Sequence, residues 1–429
     1  MAPNVKLVAK GGLRGKVKVP PSKSYTHRAA IMASLSRGRS RVLSPLVSRD
    51  TLATFRACRA MGAELEESSG CLTVTGSEPR AAADVVDVEN SGTTLRFMTS
   101  IFALPERGYT VLTGDESIRR RPMGGLLDVL SGLGARAWST GGNGCAPIIV
   151  GEGGMEGGSA EIRGDVSSQF VSSILISAPL ARGGVSLKVL DAVSRPYIDA
   201  TLKLSELYRI TVERDGYSSF KIGGGQRYRA CDFPVPGDFS SASFVMAAAA
   251  LVGGEVELSD LTTSFPQGDS AIVNLLGRLG VKVIQHSGSM VVRSDGDRLS
   301  GGSFDLSDTP DLLPVMGVLA LKCDGPLEIT GVAHARFKES DRVHATAEGL
   351  SKIGAKVAER TDGITIVRPS KLTPAVLDAH GDHRMFMAFA LASLLLPNGL
   401  QVIGAESLDV SYPSFLTDMQ RIGVSVERA

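Results

Sequence analysis

The stretch Val273-Asn-Leu-Leu-Gly-Arg-Leu-Gly280 ends a helical pattern on a glycine and leads directly into the apolar, strand-like residues 281–284. Glycine after the last turn is the usual left-handed cap, so this stretch predicts a helix, a cap and a strand. The same pattern recurs along the chain, with its cap position at Gly62, Gly134, Arg209, Gly354 and Gly423. Successive caps lie 69 to 75 residues apart, which indicates six internal repeats.

A second series of predicted helices alternates with the first and runs into stretches rich in Ala, Ser, Met and Leu. These helices start near Ser24, Gly92, Ser168, Ser240, Asp311 and His383. One repeat therefore contains a helix, a strand, a second helix and three strands. After Gly423 the chain holds too few residues for the last two strands, and residues 5–9 and 15–19 match the missing pair.

The repeats predict an α/β fold of two similar domains, each built from three repeated α/β units and joined by a double hinge. We expect residues 1–19 plus 237–429 to form one domain, closed by the N-terminal strands, and residues 20–236 to form the second. The chain would cross between them at Pro-rich segments, which are typical of stiff hinges. We expect the active site in the cleft between the two domains.

Composition narrows the class of protein. The chain has 429 residues with 46 Lys+Arg against 45 Asp+Glu. Its formal net charge of +1 therefore gives no reason to expect a nucleic-acid partner. Its apolar runs are shorter than the roughly 18 residues of a membrane span. The five scattered cysteines favour neither a disulfide framework nor a zinc site. We therefore expect a cytoplasmic protein, a monomer, with small-molecule substrates and no nucleic-acid or membrane partner.

The starts of the second helix series are candidate anion sites. Free backbone N–H groups and the positive end of the helix dipole favour anions there. Cations cluster at or near these starts: Lys23, Arg28, Arg121, Lys338, Arg342 and Arg384. For any single start, the alternative is that its Ser, Asn, Asp or Gly is an ordinary N-cap.

Two segments add titratable groups. Lys338-Glu-Ser-Asp-Arg342 holds four charged residues, and on a helix start Lys338 and Arg342 would share one face. Asp311 places a carboxylate at the start of an otherwise apolar helix. The alternatives are a solvated ladder of salt bridges for the first segment and a simple cap for Asp311.

Taken together, the motifs resemble those of the 5-enolpyruvylshikimate-3-phosphate synthase family, and the resemblance covers nearly the whole chain. The motifs are Ser22-Lys-Ser24 with Arg28, Asn90-Ser-Gly-Thr93, Arg120-Arg-Pro122, Ser167-Ser-Gln169, Ser194-Arg-Pro-Tyr197, Pro310-Asp311, Lys338-Glu-Ser-Asp-Arg342 and Asp382-His-Arg-Met385. The resemblance implies the inside-out α/β barrel of the enolpyruvyl transferases. It also implies transfer of the carboxyvinyl group of phosphoenolpyruvate to the 5-hydroxyl of shikimate 3-phosphate, with release of phosphate.

The resemblance also implies roles for individual residues, without a metal or a cofactor. The expected catalytic residues are Asp311, Glu339 and Lys23. Those expected to bind shikimate 3-phosphate are Lys23, Ser24, Arg28, Ser167, Ser168, Gln169, Ser194, Tyr197, Asp311 and Lys338. Those expected to bind phosphoenolpyruvate are Lys23, Asn90, Gly92, Arg121, Gln169, Arg342 and Arg384. His334 and Val410 stand where many relatives have Asn and a phosphate-binding Lys.

Two alternatives stay open. The sister enolpyruvyl transferase that acts on UDP-N-acetylglucosamine shares the fold, but it carries a Cys before its Arg-Pro that residues 113–121 lack. The other alternative is a non-catalytic anion-binding repeat protein in which the carboxylates are helix caps. The presence of Asp311, Glu339 and Lys23 together favours an enzyme.

Overall fold

A computed structural model describes residues 4–428 of the chain. The α-helices in these residues are α1 Lys23–Ser34, α2 Arg49–Ala60, α3 Gly92–Ile101, α4 Gly124–Gly132, α5 Ser168–Ser177, α6 Arg195–Leu207, α7 Phe239–Val252, α8 Ile272–Arg278, α9 Leu313–Leu319, α10 Arg342–Lys352, α11 His383–Ser393 and α12 Phe415–Arg421. Short 3-10 helices include Gly268–Ala271, Pro310–Leu312, Ala333–Phe337 and Ala405–Val410.

The strands alternate with the helices along the chain in a regular order. They are β1 Val5–Ala9, β2 Leu13–Lys18, β3 Arg39–Leu43, β4 Glu64–Ser68, β5 Cys71–Thr75, β6 Val86–Asp87, β7 Tyr109–Thr113, β8 Arg136–Ser139, β9 Ile148–Gly151, β10 Gly158–Arg163, β11 Val185–Leu190, β12 Val212–Asp215, β13 Ser219–Ile222, β14 Phe233–Pro234, β15 Gly254–Ser259, β16 Lys282–His286, β17 Ser289–Ser294, β18 Leu299–Asp305, β19 Cys323–Thr330, β20 Lys356–Arg360, β21 Gly363–Val367, β22 Val376–Asp378, β23 Gln401–Ile403 and β24 Val424–Arg428. The predicted order of helix, strand, helix and three strands is confirmed.

Each repeat contributes to two neighbouring four-stranded sheets. The sheets have the orders β14-β3-β5-β4, β6-β7-β9-β8, β10-β11-β13-β12, β2-β15-β17-β16, β18-β19-β21-β20 and β22-β23-β1-β24. In every sheet the last strand of one repeat pairs in parallel with the first strand of another, as Val86 does with Leu112. The other two pairings in each sheet are antiparallel. The six sheets therefore match the six repeats.

The chain divides into two compact units, which we call the terminal domain (residues 4–20 and 236–428) and the central domain (residues 21–235). In the central domain β14 returns to pair with β3, and in the terminal domain β2 pairs with β15. Strand β1 lies between β23 and β24, so β1 and β2 supply the strands that the sixth repeat lacks. The strand pairings of each domain therefore link its three repeats in a cycle.

The second-series helices are the inner helices of each domain. Helices α3, α9 and α11 are buried at every position, and α1 and α7 are half-buried only near their ends and buried elsewhere. A helix that is buried all round belongs in a core, and its small Ala and Ser side chains allow neighbours to approach closely. Among residues 4–428, no helix combines the length and the apolar character needed to cross a membrane.

The expectation that Lys338 and Arg342 share one helix face is wrong. Helix α10 begins at Arg342, and Lys338 lies in extended backbone after the 3-10 helix Ala333–Phe337. Asp341 is the N-cap of α10, and its carboxylate accepts a hydrogen bond of 3.0 Å from the His344 N–H. This capping bond fixes the start of the helix beyond Lys338.

The degenerate cap at Arg209 leads to a prediction about stability. The five glycine caps have φ between +95° and +116°, and Arg209 also has a positive φ of +64°. The Cβ of arginine makes this left-handed backbone sterically unfavourable. Arg209→Gly is therefore expected to raise the free energy of unfolding by about 0.5–1 kcal/mol. Urea titration followed by circular dichroism would measure the change.

The matched control is Gly423→Ala at the equivalent cap. A methyl group at Gly423 would meet no atom within 4 Å, so its cost is purely conformational. We expect a loss of about 1 kcal/mol for this variant. Equal stability of Arg209→Gly and the parent chain would mean that Arg209 stabilises the fold through its side chain.

Candidate active site

Arg342 is the centre of a buried ion cluster in the terminal domain. Its side chain has 0% exposure, and its guanidinium donates to Asp311 Oδ1 at 2.6 Å and to Glu339 Oε2 at 2.7 Å. It also forms a fork with Asp382, at 2.7 Å from Nε and 3.2 Å from Nη2. A solvated salt-bridge ladder would be exposed, so that alternative for residues 338–342 is wrong.

Asp311 lies among three cations. Its carboxylate is 2.6 Å from Arg342 Nη1, 3.1 Å from Arg384 Nη2 and 3.8 Å from Lys338 Nζ. Burial alone would raise the pKa of Asp311, but Arg384, Lys338 and Arg342 together outweigh it and hold that pKa well below its usual range. Burial also lowers the pKa of the Lys338 ammonium. The cluster thus contains an ionised carboxylate beside cations that suit an anionic ligand.

Asp382 belongs to this cluster, although the sequence analysis assigned it no role. It is the N-cap of α11, where it accepts a hydrogen bond of 2.9 Å from the Arg384 N–H. The same carboxylate holds Arg342 and accepts a bond of 3.1 Å from Ser340 Oγ. It therefore links the starts of α10 and α11. Its position directly before His383-Arg384 was the only signal in the sequence.

A second buried carboxylate, Asp269, was also missed. It lies in the 3-10 helix Gly268–Ala271 and accepts a hydrogen bond from Ser240 at the start of α7. Burial and the charge of Asp311 raise the pKa of Asp269 to about 7, against the opposing effects of Arg384 and Ser240. The neighbouring carboxyls Asp269 and Asp311 therefore differ in protonation state near neutral pH.

We predict that Asp269 makes stability depend on pH. Its folded-state pKa of about 7 lies above the value of about 4 in an unfolded chain, so the folded state binds the extra proton between these values. The contribution of this group to stability is therefore largest below pH 4 and falls as the pH rises to 7. Asp269→Asn should be more stable than the parent chain at pH 8, by on the order of 1 kcal/mol, and about equal to it near pH 4. Thermal unfolding at several pH values would test this, and an unchanged pH profile would contradict it.

The central domain holds a second cluster at the start of α1. Lys23 Nζ lies 2.8 Å from Asp50 Oδ2, and Asp50 is almost fully buried near the start of α2. Burial would raise the pKa of Asp50, but Lys23 and His27 hold it well below its usual range. Asp50 was not predicted as a site residue, because its partner is 27 positions away in the sequence.

Arg28 is a buried residue of α1 that contacts α6 and α3 in the central domain. It donates to Thr201 Oγ1 at 2.7 Å, to the Ser24 carbonyl at 3.0 Å and to the Tyr197 carbonyl at 3.0 Å. Its guanidinium also lies 5.1 Å from the centre of the Phe97 ring. Burial lowers the pKa of Arg28 to about 10, so it remains a cation at neutral pH. The structure thus brings Ser24, Arg28 and Tyr197 together, as the motifs predicted for one ligand.

The expected phosphoenolpyruvate residues Gly92 and Gln169 meet at the starts of α3 and α5. Gln169 accepts a hydrogen bond of 2.6 Å from Arg96 Nη1 and donates one of 2.9 Å to Thr93 Oγ1. A side chain at Gly92 would collide with the Arg121 guanidinium, which is itself anchored at 3.1 Å from Ser117 Oγ. Arg96 is therefore an additional cation of this cluster that sequence reasoning did not select.

Gly92→Ala is predicted to displace Arg121. The added methyl group cannot coexist with the present position of the guanidinium, whereas Gly92 has an ordinary helical backbone that alanine also adopts. We expect a KM for phosphoenolpyruvate at least about tenfold higher, with binding of the second substrate nearly unchanged. Steady-state kinetics would measure both. Gly277→Ala, in open space on α8, is the control and should leave both KM values unchanged.

The remaining predicted residues occupy helix starts. Ser167 caps α5 by accepting a bond of 3.2 Å from the Gln169 N–H, and Ser168 follows it as the first helical residue. Ser194 precedes α6 with φ +52°, a strained backbone for serine. In the described part of the chain, neither Ser22 Oγ nor Asn90 Oδ1 has a hydrogen-bond partner, although both atoms are buried.

The two positions that depart from the relatives' pattern lie in 3-10 helices of the terminal domain. Val410 ends the 3-10 helix Ala405–Val410 and is buried, so an apolar side chain suits its surroundings. His334 is buried in the 3-10 helix Ala333–Phe337. The cations that contact Asp311 are Lys338, Arg342 and Arg384.

These features define a two-domain α/β repeat protein with cationic, carboxylate-containing clusters at the starts of its inner helices. The sequence profile of the family "EPSP synthase (3-phosphoshikimate 1-carboxyvinyltransferase)" matches residues 8–419. A 3-phosphoshikimate 1-carboxyvinyltransferase from Methanothermobacter thermautotrophicus is 45% identical over 96% of this chain and 97% of its own length. One from Methanocella arvoryzae is 43% identical over 98% and 99%, respectively.

Solved structures agree with the sequence matches. EPSP synthase from Acinetobacter baumannii superimposes with a TM-score of 0.82 at 26% identity, covering 99% of this chain and all of that one. The chain belongs to the EPSP synthase family. The family and the fold class predicted from the motifs and repeats are thereby confirmed.

Proposed function

We propose that the chain transfers the carboxyvinyl group of phosphoenolpyruvate to the 5-hydroxyl of shikimate 3-phosphate and releases phosphate, a step in aromatic amino-acid biosynthesis. The observation that carries this proposal is Asp311, a largely buried carboxylate kept ionised by Arg384, Lys338 and Arg342. A base for a hydroxyl and cations for phosphate and carboxylate groups are both needed in such a transfer.

Asp311 would act as the base. It would accept the proton of the 5-hydroxyl while that oxygen bonds to C2 of phosphoenolpyruvate and C3 gains a proton. Loss of a C3 proton then restores the double bond as the C2–O bond to phosphate breaks. The incoming anions offset the cations that lower the pKa of Asp311, so substrate binding would make this carboxylate a stronger base.

Glu339 would exchange the C3 proton, and Lys23 would stabilise the developing charge. Glu339 Oε2 already lies 2.7 Å from Arg342 Nη2, which holds it in the same cluster as Asp311. Lys23 is held by Asp50 in the central domain. We assign these two residues and Asp311 as catalytic.

Substrate binding would use the cations and the helix starts described above. For shikimate 3-phosphate we propose Lys23, Ser24, Arg28, Ser167, Ser168, Gln169, Ser194, Tyr197, Asp311 and Lys338. For phosphoenolpyruvate we propose Lys23, Asn90, Gly92, Arg121, Gln169, Arg342 and Arg384. Arg28 and Arg342 are already bound to groups of their own domain, so each would exchange one of those contacts for a substrate oxygen.

Phosphate release from the pure protein tests the proposal. Phosphate should appear when phosphoenolpyruvate and shikimate 3-phosphate are both added, and not with either alone. Shikimate without its phosphate should be a very poor acceptor, because it leaves the cations without their anion. Release with UDP-N-acetylglucosamine instead would identify the sister reaction, and no release with any acceptor would favour a non-catalytic anion-binding protein.

We place this activity in the cytoplasm and propose that the chain acts as a monomer. Cys58 and Cys323 are buried thiols with a pKa raised to about 12 by burial, which suits structural rather than redox roles. Size-exclusion chromatography with light scattering would test the monomer, and a mass near 90 kDa, about twice the chain mass of 45.0 kDa, would contradict it.

A further inference from the structure

A continuous line of polar contacts runs through the central domain behind Lys23. Asp50 Oδ2 lies 2.8 Å from Lys23 Nζ and 3.7 Å from His27 Nε2. On the other side of the imidazole ring, His27 Nδ1 lies 2.7 Å from Thr54 Oγ1. The contacts join the first turn of α1 to α2, and His27 itself has no exposed surface.

The line continues to the start of α3. Thr54 Oγ1 lies 2.6 Å from Thr94 Oγ1, which lies 2.6 Å from Ser91 Oγ. Ser91 is the N-cap of α3 and accepts a bond of 3.2 Å from the Thr94 N–H. All three hydroxyls are fully buried. The line therefore ends one residue before Gly92, where phosphoenolpyruvate is proposed to bind.

The charge of Asp50 gives this line a direction. An ionised carboxylate repels a nitrogen lone pair, so the proton of a neutral His27 belongs on Nε2, facing Asp50. Nδ1 is then an acceptor, and Thr54 must donate to it. Each hydroxyl has one proton, so Thr94 donates to Thr54 and Ser91 donates to Thr94. Ser91 Oγ remains free to accept the backbone N–H, as observed.

The groups around His27 keep it neutral. Burial lowers the pKa of the imidazole, and the nearby Lys23 and Arg28 lower it further, whereas Asp50 opposes them. A cationic imidazole would carry a proton on Nδ1, and Thr54 would then have to reverse its bond. The neutral imidazole with its proton on Nε2 turns that proton toward Asp50, 3.7 Å away, and lets Thr54 donate to Nδ1.

We propose that His27 is a positioning residue, which as the Nε2–H tautomer orients Asp50 and, through it, the ammonium of Lys23. The charge of Asp50 favours that tautomer, and the Thr54–Thr94–Ser91 hydroxyls, which then donate toward Nδ1, connect His27 to the N-cap of α3. The inference rests on the proposed function, in which the Lys23 ammonium contacts both substrates. An ammonium in that role must be held in a fixed position.

Nitrogen-15 NMR of the histidine side chains tests the tautomer in the intact protein. The His27 signal is assigned by its loss in His27→Gln. At neutral pH we expect a proton on Nε2 and none on Nδ1. A proton on His27 Nδ1, or on both nitrogens, would overturn the proposal. This outcome does not depend on any activity measurement.

Thr54→Val tests the effect on turnover. Valine keeps the shape of threonine but cannot donate to His27 Nδ1, so kcat/KM for phosphoenolpyruvate should fall at least about tenfold. The matched control is Thr99→Val on α3, which removes an equally buried hydroxyl that only bonds the Leu95 carbonyl at 2.7 Å. Its kcat/KM should stay within about twofold.

His27→Gln provides the conservative comparison. Its amide N–H can face Asp50, as His27 Nε2 does across 3.7 Å, so it should retain more activity than the apolar His27→Leu at equal folded fraction. If the parent chain releases phosphate but Thr54→Val and Thr99→Val have equal turnover, the positioning role alone is overturned. A parent chain with no phosphate release would instead overturn the proposed function.

Discussion

Replacing Asp311 by asparagine is expected to lower kcat by about 10²- to 10⁴-fold while leaving the affinity for shikimate 3-phosphate within a few-fold. The amide has nearly the same size as the carboxylate and keeps one oxygen for either Arg342 or Arg384, which bind different oxygens of Asp311 at 2.6 Å and 3.1 Å. It cannot accept the proton of the 5-hydroxyl. Single-turnover rates and calorimetric binding, measured on the same sample, separate the two effects.

The control for Asp311→Asn is Glu328→Gln, which removes a carboxylate from the outer face of the same domain, where it pairs with Arg360. Its turnover should equal that of the parent chain. If Asp311 were only a helix cap, Asp311→Asn would melt at a lower temperature but keep normal turnover per folded molecule. Glu339→Gln should differ again: it should spare binding and slow the exchange of the C3 protons of phosphoenolpyruvate with solvent.

Arg342→Ala is expected to lower the free energy of unfolding by about 3–5 kcal/mol, because it leaves the buried Asp382 and the largely buried Asp311 and Glu339 without their common cation. Asp311, Glu339 and Asp382 each lose a charged hydrogen bond of 2.6–2.7 Å. Lysine cannot reproduce the planar fork that holds them, so Arg342→Lys should recover only part of the loss. Urea unfolding would measure both variants.

The pH dependence of Arg342→Ala distinguishes a lost charge from a lost shape. Carboxylates buried without a cation have raised pKa values, so protonation stabilises the folded variant as the pH falls. The deficit against the parent chain should therefore shrink between pH 8 and pH 5. The control Arg360→Ala removes a surface pair and should cost less than about 1 kcal/mol. A loss for Arg342→Ala as small as that of the control would contradict a buried cluster.

The sequence by itself determined the repeats and their order. Glycine caps, the alternation of two helix series and the two missing strands are local patterns, because a cap or a strand is specified by residues within a few positions of one another. Even Arg209 was identified as a cap position from spacing alone, and its backbone is left-handed. The motifs at the helix starts likewise sufficed to identify the family.

Only the tertiary structure decided which charges meet and which protonation states result. Arg342 binds Asp311 and Asp382, which are 31 and 40 positions away in the sequence. Lys23 binds Asp50, which is 27 positions away. No local pattern specifies such pairs, since they arise when helices of the two series pack against one another. The same packing removes water from these groups, and the pKa values of Asp269 and Asp311 therefore diverge although the two side chains have the same chemistry.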